Sequence, residues 1–539
     1  MALGSDDLTP LLRSGELARI RGLGPATLAV VRDLAESGES KYLEQLREAM
    51  PEGLLALMRV PGLSTEKIHR LHAELGIASL EDLDVAAQDG TLAKVKGIGA
   101  KTAKKILTGI AFVRESGVLA LYHTAIREAQ GLLNSVRSHP DVVVAEIAGS
   151  LRRRREVAAD VDIVAGCARS PGAVAESFTR LEGIQTATTT TGGTSVTLRF
   201  VTGTKLDLYC VNPEGFPVAL WRATGSADHV ERVQQRFAAR SVLVDGDALV
   251  DAQGRRLACP DEAALYAAAG LSWVPPELRE GLGEVDAAGA DALPTLIEPD
   301  DIRGVLHCHT LYSDGKASVA EMADAARAKG WSYIGISDHS QAAFYAGGVS
   351  RERMLDQFDE IDALNAGAGG FRVLKGVEAD ILADGRLDYD EDLLGRFDFV
   401  IASIHSRFKM DGAAMTERVL QAMDDPHTTI LAHPTGRLLL SRQPYDLDIE
   451  AVLQKAVDVG VAIEINADPK RLDLDWRHVK RAKELGVTIA IGPDAHSRQA
   501  LDWTDLGVAM ARKGWLEAED VLNTRDAKSV SQFASRRRK

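Results

Sequence analysis

The stretch TIAIGPDAHS, residues 488–497, leads from a short run of β-favouring residues into Asp494 and His496. A buried strand gains nothing from an aspartate and a histidine at its end unless they serve a site. The pattern recurs through the C-terminal half, where apolar runs end in residues that can bind metal. The seven runs are RGVLHCH (303–309), YIGISDH (333–339), RVLKGVE (372–378), FVIASIH (399–405), TTILAH (428–433), VAIEIN (461–466) and TIAIGPDAH (488–496).

Helical patterns separate several of these runs, for example SVAEMADAARAKG (318–330) and IEAVLQKAVDVG (449–460). Short apolar runs that alternate with helices indicate βαβ units and a parallel sheet. When such a sheet closes into a barrel, the carboxyl ends of its strands converge on one face, where active sites are built. We therefore expect the residues that end the seven runs to meet at one place.

The residue types at these ends favour a catalytic metal site. Imidazole and carboxylate suit zinc, manganese or iron, and the lack of cysteine ligands argues against a closed structural site. His307 and His309 lie two residues apart on a predicted strand, so they face the same way and Cys308 faces the other. A single histidine is more often a hydrogen-bonded core or surface residue, but six of the thirteen histidines close an apolar run, which chance explains poorly.

Residues 301–510 resemble the PHP (polymerase and histidinol phosphatase) family in the motifs HCHTLYSDG, SDHS, GVEADIL, IASIHS, LAHP and GPDAHS. The resemblance implies a distorted seven-stranded barrel that holds up to three divalent ions (Zn²⁺, Mn²⁺ or Fe), with Glu378 bridging two of them. Such ions activate water and neutralise charge during phosphoester hydrolysis. The implied ligands are His307, His309, Asp314, His339, Glu378, His405, His433, Asp494 and His496.

Three N-terminal repeats join an apolar residue, a glycine turn and a helix: IRGLGPATLAVV from residue 20, VPGLSTEKIHRL from 60 and VKGIGAKTAKKI from 95. Backbone N–H groups at such a turn can bind phosphate without reading base sequence. The repeats resemble helix-hairpin-helix motifs, which implies DNA contacts; a purely structural hairpin is the alternative, above all for the second copy. The implied DNA-binding residues are Gly22, Gly24, Gly62, Gly97, Gly99 and Lys101.

The net charge of −15 argues by itself against nucleic-acid binding, which favours basic surfaces. Basic residues are nevertheless concentrated in islands, including 94–105, 152–155 and the tail 536–539. Each island is either a solvent-exposed surface or a local phosphate-binding site.

A second carboxylate cluster follows AEIAGS, residues 145–150. Asp160 and Asp162 share one face of a predicted strand because successive side chains alternate, and Asp207 lies on another apolar strand, KLDLYCV (205–211). Aligned carboxylates repel each other unless a cation lies between them, so magnesium is the natural occupant.

This region resembles the nucleotidyltransferase palm of family X DNA polymerases through Gly-Ser-x-Arg-Arg and Asp-x-Asp, with further support from 219–229 and 274–288. The resemblance implies that Asp160 and Asp162 bridge two ions, Mg²⁺ or Mn²⁺, and that Asp207 holds the ion that activates the primer 3′-hydroxyl. The residues implied to bind the incoming nucleotide are Gly149, Ser150, Arg153, Thr224, Gly225 and Ser226.

Three positions depart from the family pattern. Arg222 and Ala223 replace a Tyr-Phe pair that packs against the nucleotide sugar, and Val230 replaces a common asparagine. These departures leave open a palm that polymerises slowly or serves only as a DNA-binding scaffold.

The predicted fold is multidomain, α/β and α+β: a helical helix-hairpin-helix region, a palm with thumb and a distorted (βα)7 PHP barrel. The predicted domains are the N-terminal helical domain (1–80), fingers (81–140), palm (141–230), thumb (231–290), linker (291–300, within a linker-like stretch 284–300) and PHP domain (301–539).

The leading hypothesis is a DNA-repair enzyme that fills gaps in the palm and removes 3′ nucleotides in the barrel, with cutting at abasic sites as a further activity. Its partners would be gapped or nicked DNA with free 3′ ends and deoxynucleoside triphosphates. The alternatives are a nuclease with an inactive palm, a small-molecule phosphoesterase and a non-catalytic DNA-end-binding protein.

Four scattered cysteines, no apolar run of eighteen residues and no secretory leader favour a cytoplasmic protein without a membrane partner. The predicted oligomeric state is a monomer.

Overall fold

A computed structural model describes residues 119–538 apart from 191, 202 and 368, and also 28–32, 57, 60, 63, 65–95, 98–99, 102–104, 106–107 and 109–110. The chain divides into two compact units, 1–117 and 118–539. The division therefore falls inside the range 81–140 that the sequence suggested as one fingers domain. In the described part of the chain, no helix has both the length and the apolar character needed to cross a membrane.

The first unit has a helical core. Its described residues include the helices α1 (Thr65–Leu75) and α2 (Leu80–Gln88), and a 3-10 turn follows at Thr91–Lys94. Ser79 caps α2 because its side chain accepts a hydrogen bond from the Asp82 N–H. Leu57, Leu71, Leu83 and Leu92 are fully buried against one another, which gives this short segment an apolar centre.

The second unit contains the predicted palm, whose main feature is a five-stranded mixed sheet, preceded by residues 118–140 from the predicted fingers. The strands of this sheet follow the order β2-β4-β7-β6-β5, and only β4 and β7 run parallel. The strands here are β1 (Ala120–Leu121), β2 (Val142–Ile147), β3 (Val157–Ala158), β4 (Val161–Cys167), β5 (Ile184–Thr189), β6 (Ser195–Phe200) and β7 (Lys205–Val211). The helices are α3 (Tyr122–Arg137), α4 (Gly149–Arg152), α5 (Pro171–Phe178) and α6 (Phe216–Thr224). The two central strands carry the predicted carboxylates.

The thumb follows without a break. It contains the hairpin β8 (Val242–Asp245) and β9 (Ala248–Asp251) with helices α7 (Ala227–Ala239), α8 (Glu262–Ala268) and α9 (Glu284–Gly289). Trp221 of α6 is fully buried in the thumb's apolar core. The expected palm–thumb boundary at 230 therefore lies within α7, and α6 packs with both parts.

The stretch 284–300 differs from the linker that its composition suggested. It begins with α9, whose Val285 and Ala288 are buried in the thumb core. Further along, the Ile297 N–H donates to the Leu516 carbonyl at 3.0 Å. Thumb and barrel are thus joined by a docked segment.

The barrel has seven parallel strands in chain order, as predicted. They are β10 (Gly304–Val305), β11 (Tyr333–Ile336), β12 (Arg372–Asp380), β13 (Phe399–Ser403), β14 (Thr428–Leu431), β15 (Ala462–Asn466) and β16 (Ile489–Gly492). The helices between them are α10 (Val319–Ala328), α11 (Arg351–Ala366), α12 (Glu391–Leu394), α13 (Gly412–Asp424), α14 (Ile449–Val459) and α15 (Trp476–Leu485), and α16 (Thr504–Lys513) and α17 (Ala527–Ser535) follow. The first and last strands meet where the His309 N–H donates to the Ala495 carbonyl at 2.9 Å and the Ala495 N–H to that of His307 at 3.1 Å.

The basic tail binds the barrel itself. Arg537 and Arg538 donate to the carbonyls of Thr428 and Phe397 at 2.7 and 2.6 Å. This arrangement differs from both expectations for the tail, because the guanidinium groups of Arg537 and Arg538 are half-buried and serve backbone acceptors.

A buried ion-pair group fastens the palm to the thumb. Arg152 of α4 and Arg279 both donate to the Glu262 carboxylate, and Arg279 is fully buried. Burial by itself would raise the pKa of Glu262, but hydrogen bonds and charge from the two arginines outweigh it and lower the pKa to about 2. The depressed pKa indicates that the ionised carboxylate stabilises the fold.

Glu262→Gln is expected to lower the free energy of unfolding at pH 7 by about 3 kcal/mol, because two arginines lose a buried counter-charge. The pKa is lowered on folding, so the stabilisation is complete above the unfolded value near 4.5 and is lost as pH falls toward about 2. Urea unfolding at pH 7, 5 and 3 measures this.

Glu146→Gln is the matched control, because the Glu146 pair with Arg137 is about half exposed on both sides and is worth less than about 1 kcal/mol. Equal unfolding midpoints for the two variants at pH 7 would contradict the assigned role of Glu262.

Candidate metal centres and nucleotide site

The nine predicted barrel ligands converge at the carboxyl ends of the strands. Most follow their strand directly, Glu378 lies within β12, and Asp314 comes from the loop after β10. Together they form four overlapping groups in which the ligand atoms lie within 4.8 Å of one another. The groups are His309, Asp314, His339 and His496; His307, His309 and Glu378; His307, His433 and Asp494; and His339, Glu378 and His405.

Glu378 occupies the middle of this arrangement and is almost fully buried. Its Oε2 lies 2.9 Å from His339 Nδ1 and 3.4 Å from His307 Nε2. Its Oε1 lies 3.0 Å from His433 Nε2 and 3.2 Å from His405 Nε2. Because each oxygen faces different imidazoles, the carboxylate has the geometry of a bridge.

Two further carboxylates, which the motifs did not single out, orient these imidazoles. Glu464 accepts from His307 Nδ1 at 2.6 Å, and Asp380 pairs with His405 Nδ1 at 2.7 Å. Such contacts fix the ring orientation of a metal-binding histidine. A signal was present, because Glu464 lies two residues before Asn466 and Asp380 two after Glu378, on the same strand faces.

Asn466 lines the site, as its position predicted. Its side-chain amide donates to Asp494 Oδ2 at 3.1 Å and to Glu464 Oε2 at 3.2 Å. It therefore positions one predicted ligand and one orienting carboxylate. Arg407 and Lys409, which follow His405 by two and four residues, are exposed.

The histidines of the cluster differ in the direction in which their pKa values are shifted. Burial lowers the pKa of His433 to about 3 and that of His309 to about 4, with nearby positive groups adding to the effect. Burial opposes ionisation of His405 too, but Glu378 and Asp380 raise its pKa to about 10. Metal loading must displace protons from such groups, because imidazole binds metal in its neutral form.

The cluster fits divalent metal ions on the evidence of its own atoms. Several buried donors and acceptors have no hydrogen-bond partner: His307 Nε2, both ring nitrogens of His309, His339 Nδ1, Glu378 Oε2 and His433 Nδ1. Unpaired buried polar atoms are costly, so their concentration in one place calls for a ligand. Imidazole and carboxylate donors with no cysteine suit zinc, manganese or iron.

The palm brings its three predicted carboxylates together. Asp162 and Asp207 face each other on the parallel strands β4 and β7, and Asp160 comes two residues before Asp162. Lys205, which the sequence reasoning did not single out, places its ammonium 3.1 Å from Asp160 Oδ2 and 2.6 Å from Asp207 Oδ2. The lysine ammonium therefore lies where a cation neutralises the repulsion between these carboxylates.

Gly149 is required beside this carboxylate group. It has a φ of +60°, and an added Cβ would lie 1.9 Å from Asp162 Oδ2. Burial raises the pKa of Asp162, and the charges of Asp160 and Asp207 raise it further, to about 7. Three crowded oxygen ligands that repel each other fit the preference of Mg²⁺ for carboxylates.

The other predicted nucleotide-binding residues differ in whether their side chains already have hydrogen-bond partners within the protein. Ser150 Oγ is buried without a partner. Arg153 instead donates from Nε to Glu280 at 3.1 Å and from Nη1 to the Thr224 carbonyl at 2.7 Å. Among the described residues, the Ser150 hydroxyl therefore stays unpaired one residue after Gly149, whereas Arg153 is engaged with the thumb.

The Thr-Gly-Ser turn also has internal partners. Thr224 Oγ1 accepts from Arg152 at 2.9 Å, and Ser226 Oγ caps α7 by accepting the His229 N–H at 3.2 Å. Gly225 lets the turn approach α7, since an added Cβ would lie 2.9 Å from both His229 and Val230 side chains. The turn is held rigidly between palm and thumb.

Comparison with known protein families agrees with this layout. Residues 306–468 match the PHP domain, 219–280 the DNA polymerase beta thumb and 54–111 the SAM-like helix-hairpin-helix tandem. The chain is also 38% identical to the DNA polymerase/3'-5' exonuclease PolX of Bacillus subtilis (strain 168), over 99% of this chain and 94% of that protein. The chain belongs to the PolX family of bacterial DNA polymerases with a C-terminal PHP domain.

Shorter proteins also match part of this chain. A probable phosphatase of Thermoanaerobacter sp. (strain X514) is 31% identical over 43% of this chain and 95% of its own length. One of Caldicellulosiruptor saccharolyticus is 32% identical over 42% of this chain and 92% of its own length. Both matches cover less than half of this chain, so the family assignment rests on the full-length match.

Most DNA-binding residues predicted from the hairpins lie outside the described residues, namely Gly22, Gly24, Gly62, Gly97 and Lys101. Gly99 is described and exposed, and its carbonyl accepts from the N–H groups of Thr102 and Ala103 at 2.8 and 3.0 Å. This places it at the start of a helical turn, as the motif requires. Its contact with DNA stays a prediction.

Proposed function

We propose that this PolX-family chain is a DNA-repair enzyme that fills short gaps with its palm and trims 3′ ends with its barrel. The observation that carries the proposal is the convergence of nine imidazole and carboxylate ligands around Glu378, on the same chain as the Asp160, Asp162 and Asp207 group. The proposed substrates are gapped or nicked duplexes with free 3′ ends and deoxynucleoside triphosphates. Cutting at abasic sites is a further proposed activity of the barrel.

In the barrel, the nine ligands would hold up to three divalent ions, Zn²⁺, Mn²⁺ or Fe. Divalent ions in both sites would supply Lewis-acid activation of the attacking oxygen and neutralisation of charge on the phosphate. Glu464 and Asp380 keep the His307 and His405 rings in fixed orientations. Asn466 does the same for Asp494. This bracing preorganises the site for a phosphodiester.

In the palm, Asp160 and Asp162 would hold Mg²⁺ or Mn²⁺, and Asp207 would serve the primer terminus. Ser150, with its unpaired hydroxyl, is placed to receive a phosphate oxygen of the incoming nucleotide. Lys205 balances the carboxylate charge when the site is empty and would have to turn away as cations enter. Positioning and charge neutralisation are the main requirements of phosphoryl transfer.

A gapped-duplex assay tests the two activities in one reaction. With nucleotides and Mg²⁺ or Mn²⁺, the labelled primer should lengthen to the gap end, and without nucleotides it should shorten from its 3′ end. Neither product appearing from the metal-loaded full-length protein would refute the proposal.

A second candidate keeps the exonuclease and makes the palm a DNA-binding scaffold. Arg153 favours it, because the arginine predicted to bind triphosphate already donates to Glu280 and Thr224. Arg222 points the same way, since it bonds to the Gly246 carbonyl of the thumb hairpin instead of providing an aromatic surface. Trimming without extension in the gapped-duplex assay would select this candidate.

Gly149→Ala is expected to lower primer extension by more than about 100-fold, because the new Cβ would displace Asp162 and a positive φ disfavours alanine. Single-nucleotide insertion kinetics measure the loss.

Gly131→Ala is the matched control, since Gly131 lies within α3 with no atom within 4 Å of an added Cβ. It should extend primers like the wild type and be slightly more stable, as helix propensity predicts. Full extension by Gly149→Ala would show that Asp162 is not needed where the structure places it.

A further inference from the structure

An exposed aromatic pair stands at the edge of the barrel's metal-ligand cluster. Phe344 is 86% exposed and Tyr345 61% exposed, in a single 3-10 turn at Phe344–Ala346. The Tyr345 ring centroid lies 6.3 Å from that of His339 and 6.0 Å from that of His405, both predicted metal ligands. Phe344 extends the surface outward, with its ring 6.4 Å from Tyr345 and nearly perpendicular to it.

The turn that carries the pair is firmly built. The loop that contains this turn begins one residue after His339 and ends beside it, because the Val349 N–H donates to the His339 carbonyl at 2.9 Å. The Ala342 N–H donates to Asp388 Oδ2 at 2.6 Å, which anchors the near side. An added Cβ at Gly348 would lie 2.4 Å from the Ser340 carbonyl, so the backbone folds tightly under the rings. The two rings are therefore presented outward by a fixed turn.

Exposed apolar side chains are otherwise rare on this barrel. Among its described residues, the large exposed apolar side chains are Leu311, Phe344, Tyr345 and Val457. Three of the four lie within six residues of a predicted metal ligand, and Val457 lies on α14. Apolar surface concentrated at the mouth of a polar, charged cleft indicates a ligand with an apolar face.

We propose that Phe344, supported by the perpendicular Tyr345 ring, forms a stacking platform for the base of the 3′-terminal nucleotide, whose 5′ phosphate enters the metal centre. The inference rests on the proposed exonuclease and adds its substrate class: a DNA end that carries a base. Every nucleobase offers a flat aromatic face, so stacking on aromatic side chains holds a strand without reading its sequence. The platform would orient the terminal nucleotide while the charged cluster receives its phosphate.

The test compares two 5′-labelled single-stranded oligonucleotides that differ only at the 3′ terminus. One ends in a normal nucleotide and the other in a tetrahydrofuran abasic residue, and kcat and KM are measured for removal of the terminal unit by the metal-loaded full-length protein. Stacking on an aromatic side chain is worth about tenfold in binding. The wild type should therefore favour the base-bearing end about tenfold, mostly through KM.

Phe344→Ala should bring this preference to about twofold or less, and Phe344→Trp should keep it, because indole also stacks. Phe344 is changed and not Tyr345, since the Tyr345 ring packs closer to the ligand histidines. Val457→Ala removes an exposed apolar side chain on α14 and should leave the preference at the wild-type value.

A wild type that trims both ends equally, or a Phe344→Ala variant that keeps the full preference, would overturn the platform and leave the exonuclease intact. The pair would then serve a different partner, such as another protein. A metal-loaded wild type that trims neither end would overturn the exonuclease itself, and the platform with it.

Discussion

Glu378→Gln should lower 3′–5′ degradation by more than about 100-fold and leave primer extension at the wild-type level. The carboxylate faces four imidazoles through its two oxygens, so the amide removes a negative charge that two predicted metal groups share. Residues that merely orient metal ligands cost about 10–100-fold when changed, and a shared ligand should cost more. Trimming of a labelled 3′ end, with metal content determined by elemental analysis, measures the effect.

Glu417→Gln serves as the matched control, because Glu417 is an exposed carboxylate on α13 of the same barrel. It should trim and bind metal like the wild type. A Glu378→Gln protein that keeps its metal and trims normally would remove Glu378 from the mechanism. Loss of extension as well, in a folded protein, would show that the two activities do not use separate sites.

The convergence of most predicted barrel ligands could be foreseen because one geometric rule governs residues at strand ends. Parallel strands end at the same face, so residues such as His339 and His433, far apart in the chain, had to meet once the strands were recognised. Glu378 lies within its strand and Asp314 lies on a loop, and both were predicted as ligands from their resemblance to family motifs. The structure brings all nine together.

Partners supplied by other elements were harder to foresee. Lys205 lies two residues before Asp207 in the printed sequence, yet its contact with Asp160 depends on the pairing of β4 with β7. Arg153 was predicted from its motif, but its thumb partner Glu280 lies 127 residues away. Local pattern identifies which side chain is functional, and tertiary register decides which neighbour it meets.

The docked segment 284–300 was hard to foresee for a related reason. Residues 284–300 are rich in alanine and aspartate, and α9 is a single short helix with too few positions to show a periodic apolar face. Its burial comes from the thumb core around Val285 and Ala288, which the local sequence does not reveal. Composition alone therefore suggested a flexible connection where the chain is docked.

The palm and barrel also share contacts that no motif announces. Lys513, at the end of α16 in the barrel, is buried and donates to Glu280 at 2.7 Å and to the Arg153 carbonyl at 2.8 Å. Burial lowers its pKa to about 8, although Glu280 opposes the shift. Glu280 thus links Lys513 of the barrel to Arg153, the palm residue predicted to bind nucleotide. Through this link the barrel contributes to the structure of the palm.

Asp160→Asn with Asp162→Asn should lower primer extension by more than about 100-fold and leave 3′ trimming unchanged. The two carboxylates are the proposed shared ligands of the palm ions, and an amide cannot supply their charge. Extension and trimming are measured on the same gapped duplex. Extension that survives in the double variant would place the polymerase site elsewhere in the chain.

Stability gives the double variant a second readout that is independent of activity. Asp162 has its pKa raised from 3.8 to about 7, so the folded state holds a proton that the unfolded state has released. In metal-free protein the wild type should therefore lose stability as pH rises from about 4 to 7, because the ionised carboxylate is forced against its neighbours. The variant lacks this repulsion and should melt at a higher temperature than the wild type at pH 7, with the difference shrinking toward pH 4. A variant that melts lower at pH 7 would mean that the three carboxylates do not repel each other, and the case for a cation between them would fail.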